Sequence, residues 1–198
     1  MKINSCSLAA VSLGCVFLAT PAWATTLYTN GPINGTQTGW DISSEATSDS
    51  FTLSGLATIL SVTFGEWVTS AGGPTPETVD WEIGSSAFGS DLGTATGVSL
   101  TSSLLGPATP GYNVFASTFT LDLILAPGAY WLTLLNATTS SAATAYWDQN
   151  SGPSLALFGG GAPVPSESFT IAGTVPEPST FVLLLFGLCL MAYRSSRT

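Results

Sequence analysis

Between residues 25 and 174, apolar and polar positions alternate in short bursts with a period of two, the signature of half-buried β-strands. Leu60, Val62 and Phe64 fall on one face, with Ser61 and Thr63 opposite. Val79, Trp81 and Ile83 alternate with Asp80 and Glu82. The longest such pattern sets Phe115, Phe119, Leu121, Leu123 and Leu125 against Ala116, Thr118, Thr120 and Asp122. Ala126-Pro127-Gly128 then reads as a turn, with Tyr130, Leu132 and Leu134 forming the partner strand of a hairpin. Residues 26–29, 38–42, 50–53, 143–148 and 168–172 read as further strands. Turn sequences such as Asn30-Gly31-Pro32, Gly72-Gly73-Pro74 and Gly159-Gly160-Gly161 separate these elements. No internal repeat and no sustained helical period occurs in this region. Roughly eight to ten short antiparallel strands predict an all-β fold, an antiparallel β-sandwich of jelly-roll type.

The two ends break the pattern. Lys2, an apolar stretch over 8–18 interrupted only by Ser12 and Gly14, and the A-x-A site Ala22-Trp23-Ala24 form a secretory signal peptide. It spans residues 1–24, predicts a short helix there, places the mature start at Thr25 and makes the Sec translocon the partner in export. At the other end, residues 181–193 are apolar, with Gly187 alone lacking bulk, and Arg194 and Arg197 follow. As a helix this run would span ~20 Å at 1.5 Å per residue, short against a hydrocarbon core of about 30 Å. The trailing arginines would keep that end of a transmembrane helix in the cytoplasm and the domain outside. Before the run stands Val175-Pro176-Glu177-Pro178, whose two prolines hold the chain extended. The chain therefore divides into a signal peptide (1–24), one β domain (25–174) and a C-terminal signal (175–198).

The order Pro-Glu-Pro, apolar run, basic tail resembles the PEP-CTERM sorting domain, on Val175, Pro176, Glu177, Pro178, the 181–193 run, Arg194 and Arg197. The resemblance implies processing near Pro-Glu-Pro by an exosortase, a membrane-embedded cysteine protease-transpeptidase, in a Gram-negative bacterium that makes exopolysaccharide. It further implies a course from the inner membrane, with the domain in the periplasm, to the outer envelope or the exterior. Ser50-Phe51-Thr52-Leu53, Val79-Asp80-Trp81, Tyr130-Trp131-Leu132 and Tyr146-Trp147-Asp148 resemble the central domain of PEP-CTERM proteins without assigned activity. Leu125 to Leu134 is similar to the Pro-Gly-x-Tyr hairpin of secreted sandwich domains.

Charge sharpens the picture. The chain has three basic residues, twelve acids and no histidine; Lys2, Arg194 and Arg197 are the bases, and eleven of the acids lie in 25–174. The domain thus carries a formal charge of −11 and no internal salt-bridge partner for any carboxylate, which must be solvated, hydrogen-bonded or bound to a cation. Binding to nucleic acid and attraction to anionic lipid are excluded, because nothing neutralises a phosphate. Cys6, Cys15 and Cys189 all lie in the end segments, so the domain has no disulfide and rests on its core alone.

Without histidine, cysteine or lysine in the domain, Ser-His-Asp and Cys-His catalysis and the usual zinc, copper and haem sites are ruled out. Carboxylate chemistry remains. Asp80 and Glu82 share a strand face at a spacing of about 7 Å, within the range of about 6.5–9.5 Å for an inverting glycosidase. The same alternation describes the wet face of a strand whose Val79, Trp81 and Ile83 are core, and this reading is preferred. No enzymatic activity and no cofactor are expected. Structural calcium is the one metal the composition admits, with Asp41, Glu45 and Asp49, or Asp148 and Asn150, as candidate ligands. Trp81 and Trp131 read as core. Tyr146, Trp147, Asp148 and Asn150 form the best aromatic and polar cluster for gripping a sugar ring, with Trp147 open to either a core or a binding role. Asn34-Gly35-Thr36 and Asn136-Ala137-Thr138 are chance matches to a glycosylation pattern in a Thr-rich chain. The functional expectation is a non-enzymatic envelope or extracellular-matrix protein associated with exopolysaccharide, with a carbohydrate-binding sandwich as the alternative and a carboxylate-only glycan hydrolase third.

Overall fold

The computed structural model describes residues 24–35, 38–108 and 111–176. The signal-peptide helix, the expected helix over 181–193, Glu177, Pro178, Arg194 and Arg197 lie outside the described residues. Among the described residues no helix is long and apolar enough to cross a membrane.

Among the described residues thirteen strands follow one another: β1 (Thr25–Thr29), β2 (Gly39–Asp41), β3 (Thr47–Leu53), β4 (Ala57–Thr69), β5 (Pro76–Gly84), β6 (Gly93–Ser99), β7 (Thr101–Pro107), β8 (Tyr112–Leu125), β9 (Gly128–Thr139), β10 (Ala145–Asp148), β11 (Ala156–Phe158), β12 (Ala162–Val164) and β13 (Phe169–Thr174). They form two antiparallel sheets. In the first, β4 is the axis, with β8 along its whole length on one side and β7 outside β8. On the other side β13 and then β1 line the first half of β4, and β10 and then β2 line the second half. The second sheet runs β12-β11-β3-β9-β5-β6.

The fork on β4 falls at Gly65, whose N–H donates to the Ser168 carbonyl at 3.2 Å. A Cβ at Gly65 would collide with the Ser168 hydroxyl, Asp148 Cβ (2.6 Å) and Ile33 Cγ2 (2.8 Å), so only glycine lets the strands converge there.

The inward positions of both sheets share one core, and aromatic contacts tie the sheets together in a sandwich-like arrangement. Trp81 of β5 stacks on Phe119 of β8 with centroids 6.1 Å apart and planes at 10°. Phe51 of β3 meets Phe169 of β13 edge-on at 6.4 Å.

Three local expectations change. Leu60 does not share the face of Val62 and Phe64: a bulge between Ile59 and Ser61 makes Ile59 the buried residue. The expected hairpin at Ala126-Pro127-Gly128 is a corner between sheets, since β8 pairs with β4 and β7 while β9 pairs with β3 and β5. Both strands turn their apolar faces to one core, which they could not do as neighbours with the corner pulled flat; the Tyr130 hydroxyl clips it by donating to the Ala126 carbonyl at 2.8 Å. Trp131 is half-buried rather than core, because Leu132 and Leu134 hold the inward register of β9.

Candidate functional site

Trp147 sits on the inward face of β10, fully buried, with Phe64 and Phe169 edge-on to it at 6.2 and 5.6 Å. Its Nε1–H donates to the Ser168 carbonyl at 2.9 Å. No face of this ring is open to a sugar, which corrects the binding reading of Trp147. Asp148 and Asn150 are buried as well, while Tyr146 is half-buried and stands T-shaped against Tyr112 at 5.8 Å. The four residues of the expected cluster are therefore split between the core and the outer face. Asp80 and Glu82 lie half-exposed beside buried Val79, Trp81 and Ile83. Asp80 accepts hydrogen bonds from the Gly97 N–H at 2.6 Å and the Asn136 amide at 2.8 Å, an ordinary strand-surface role.

The unexpected feature is a set of buried carboxyls around the fork. Asp49, Glu66, Asp148 and Glu167 are all fully buried, and no basic residue lies among the described residues. Asp49 Oδ2 accepts from the Asn30 amide at 3.0 Å and the Glu167 N–H at 2.7 Å, and Oδ1 from the Ser50 N–H at 2.6 Å. Burial nevertheless pushes Asp49 up to about 7, against the pull of those donors and of Ser154. Asp148 accepts from Trp67 Nε1–H at 2.6 Å and from the Asn34 and Gly35 N–H groups at 3.0 and 3.1 Å; burial still raises it. Glu66 faces the core beside Trp147, and neither of its oxygens completes a hydrogen bond. Burial carries it to about 7, with the Ser117 hydroxyl pulling weakly the other way. Glu167 also has both oxygens unpartnered, and burial together with the charges of Asp49 and Asp148 raises it well above the usual range.

Proton supply is short throughout this region. The Asn30 amide nitrogen, with two protons, lies 2.6–3.0 Å from four oxygens: Asp49 Oδ2, the Ser154 and Ser166 hydroxyls and the Glu167 carbonyl. A carboxyl that stays protonated brings its own proton and avoids the cost of a buried, unpaired charge. Burial therefore favours the protonated form of Glu66 and of Glu167 in the fold. Raised carboxyl pKa values mark catalytic acids when they face a cleft. Here the four acids are buried, and the cleft of about 230 Å³ near β7, lined by Ile33, Asn34, Leu105, Gly106, Pro107 and Val114, has no acid in its lining.

Among the described residues no three acids converge as a metal site. Asp41 instead accepts from the Ser43 and Ser44 N–H groups at 2.7 and 3.0 Å, closing its own turn. Asn150 is spent on the Asn30 carbonyl, the Gly152 N–H and the Ser166 hydroxyl. Sequence reasoning missed Glu66 and Glu167, although the signal was there. Glu66 is in phase with Val62, Phe64 and Val68, and Glu167 with Phe169 and Ile171, all buried.

The C-terminal signal leaves the fold without a spacer. Thr174, the last residue of β13, pairs with Thr58, and Gly173 pairs with Thr25 at the start of β1. Val175 and Pro176 are already exposed beyond the sheet. A Cβ on Gly173 would overlap the Thr58 carbonyl oxygen and come within 2.8 Å of Leu27 Cδ1, so the exit depends on glycine. Comparison with protein families matches the PEP-CTERM protein-sorting motif to residues 174–197. No curated protein and no solved structure matches the chain.

Proposed function

We propose that this chain, targeted by its PEP-CTERM motif to exosortase for export, is a non-enzymatic protein of the cell envelope or extracellular matrix that associates with exopolysaccharide. The observation that carries the reading is the join between fold and signal. The motif starts on the last residue of β13, so a cut near Pro-Glu-Pro leaves both sheets whole. The two ends of the delivered domain stay paired through Thr25 and Gly173. The longer strands, ordered β1-β13-β4-β8 and β3-β9-β5-β6, support a jelly roll of two facing sheets. A domain without histidine or base, with its perturbed acids sealed in the core, favours coating or adhesion over turnover.

The test is fractionation of the producing cells with and without their exopolysaccharide. The domain should sediment with the polysaccharide and move to the soluble medium when the polysaccharide is absent. Equal distribution in both strains, or hydrolysis of the isolated polysaccharide, would overturn the reading.

The half-buried Tyr112–Tyr146 pair favours a second reading, a carbohydrate-binding module using the outer face of the first sheet. It requires saturable glycan binding that Tyr146→Ala abolishes while the domain stays folded.

A further inference from the structure

The end of the domain from which the sorting signal emerges differs from the rest of its surface. Thr58 of β4 pairs with Thr174 on one side and with Ile124 of β8 on the other, so these three residues form one row across the sheet. Leu56, in the turn before β4, and Val175, just after β13, flank that row. Leu56 and Val175 are each 49% exposed and Ile124 is 67% exposed. Three large apolar side chains thus face water around the exit; among the described residues the others of this kind, Leu104, Leu105 and Leu155, lie on β7 and in the loop before β11. The segments that build this end, 24–28, 53–58, 123–129 and 171–176, contain no charged residue, in a domain with eleven acids. Along the chain, Asp122, one pleat further along β8, and Glu177, directly after Pro176, are the acids that border these segments.

Chain connectivity says what this end meets. The sorting motif anchors the C-terminus in the membrane before processing. Only six residues, 175–180, lie between Thr174 and Phe181, where the apolar run begins. Even fully extended they reach no more than about 25 Å. The carboxylates elsewhere on the domain would be repelled by anionic lipid, so a face that approaches the bilayer should be free of them. We propose that, until exosortase cuts the chain, this end, which carries no charged side chain, rests on the bilayer surface. Leu56, Ile124 and Val175 enter the headgroup region and hold the Pro-Glu-Pro segment at the depth where a membrane-embedded protease works. Cleavage removes the tether, and three apolar side chains alone do not retain so acidic a domain. This inference rests on the membrane anchor and not on the polysaccharide reading, so either can fail without the other.

The test uses the whole chain after signal-peptide removal, with Cys189→Ser, in vesicles of phosphatidylethanolamine and phosphatidylglycerol. An environment-sensitive dye is attached through Ile124→Cys in one sample and Ala142→Cys in another, and lipids spin-labelled near the headgroup act as quenchers. Ala142 lies in the turn after β9, away from the exit. The dye at 124 should shift to the blue and be quenched several-fold more than the dye at 142. Adding Leu56→Asp and Val175→Asp should reverse most of that difference while far-ultraviolet circular dichroism stays unchanged. Equal quenching at 124 and 142 would overturn the proposal. So would protection at 124 that arises only when exosortase is present in the vesicles, which would assign this end to the enzyme. Insensitivity to the Asp substitutions in a folded chain would likewise refute it.

Discussion

Replacing Glu66 by methionine should stabilise the domain by an amount that depends on pH in a calculable way. The side chain is buried against Trp147 and Phe115 positions, and its carboxyl has no completed hydrogen bond. Burial holds its pKa at about 7, against 4.5 when exposed. Below pH 4 the group is protonated in both the folded and the unfolded chain and favours neither. Between 4.5 and 7 the unfolded chain releases the proton and the folded chain keeps it, so stability falls as pH rises. Above 7 the loss is complete, and the gap between the two values corresponds to about 3 kcal/mol. Glu66→Met removes this loss and fills nearly the same volume with a flexible apolar chain. Asp49, Asp148 and Glu167 titrate in both proteins and largely cancel from the comparison. Urea unfolding of residues 25–176, followed by tryptophan fluorescence at pH 4 and pH 8, reads the difference. At a slope of ~2 kcal/mol per molar urea, the midpoint advantage of Glu66→Met should be about 1.5 M larger at pH 8 than at pH 4. An advantage that stays constant across this range, or a native domain that gains stability from pH 4.5 to 7, would refute the neutral-acid account.

Other outcomes follow from the same contacts. Trp147→Ala should cost about 3–5 kcal/mol as a core truncation, seen as a loss of thermal stability. Gly65→Ala should cost about 1–3 kcal/mol in urea unfolding, because its Cβ meets Asp148 and Ile33 at the fork. Asp80→Asn and Glu82→Gln should each change stability by less than about 1 kcal/mol and leave any glycan interaction intact, a result that a competition assay would check. The native domain should also unfold at lower urea at pH 8 than at pH 5, since burial raises Asp49 from 3.8 to about 7 in the same direction as Glu66.

Much of the fold was legible because alternation is a local signal. The faces of β5 and of β8 follow the sequence pattern, and Trp81 is core as expected. Pairing was less legible. Nothing in Leu125 to Leu134 distinguishes a hairpin from a corner, since both need a turn and two strands with apolar faces; only the choice of neighbours, made elsewhere in the chain, decides. The edge strands β6 and β7 were invisible because they bury little: Gly93–Ser99 and Thr101–Pro107 are largely exposed, and even Leu104 and Leu105 of β7 face water rather than marking a core face. Trp147 was ambiguous because its Tyr, Asp and Asn neighbours suit a binding loop equally well. The buried acids were readable in principle, since Asp49, Glu66 and Glu167 each fall in phase with core positions. The general rule that carboxylates face water hid them, and that rule yields here because the acids can remain protonated.

The most direct test of the account is the intact mass of the protein from producing cells with and without exosortase. Processing predicts a chain that begins at Thr25 and ends within 175–178 in normal cells, and one that runs on to Thr198 when exosortase is absent. A mature protein in normal cells that still contains residues 181–198 would contradict it.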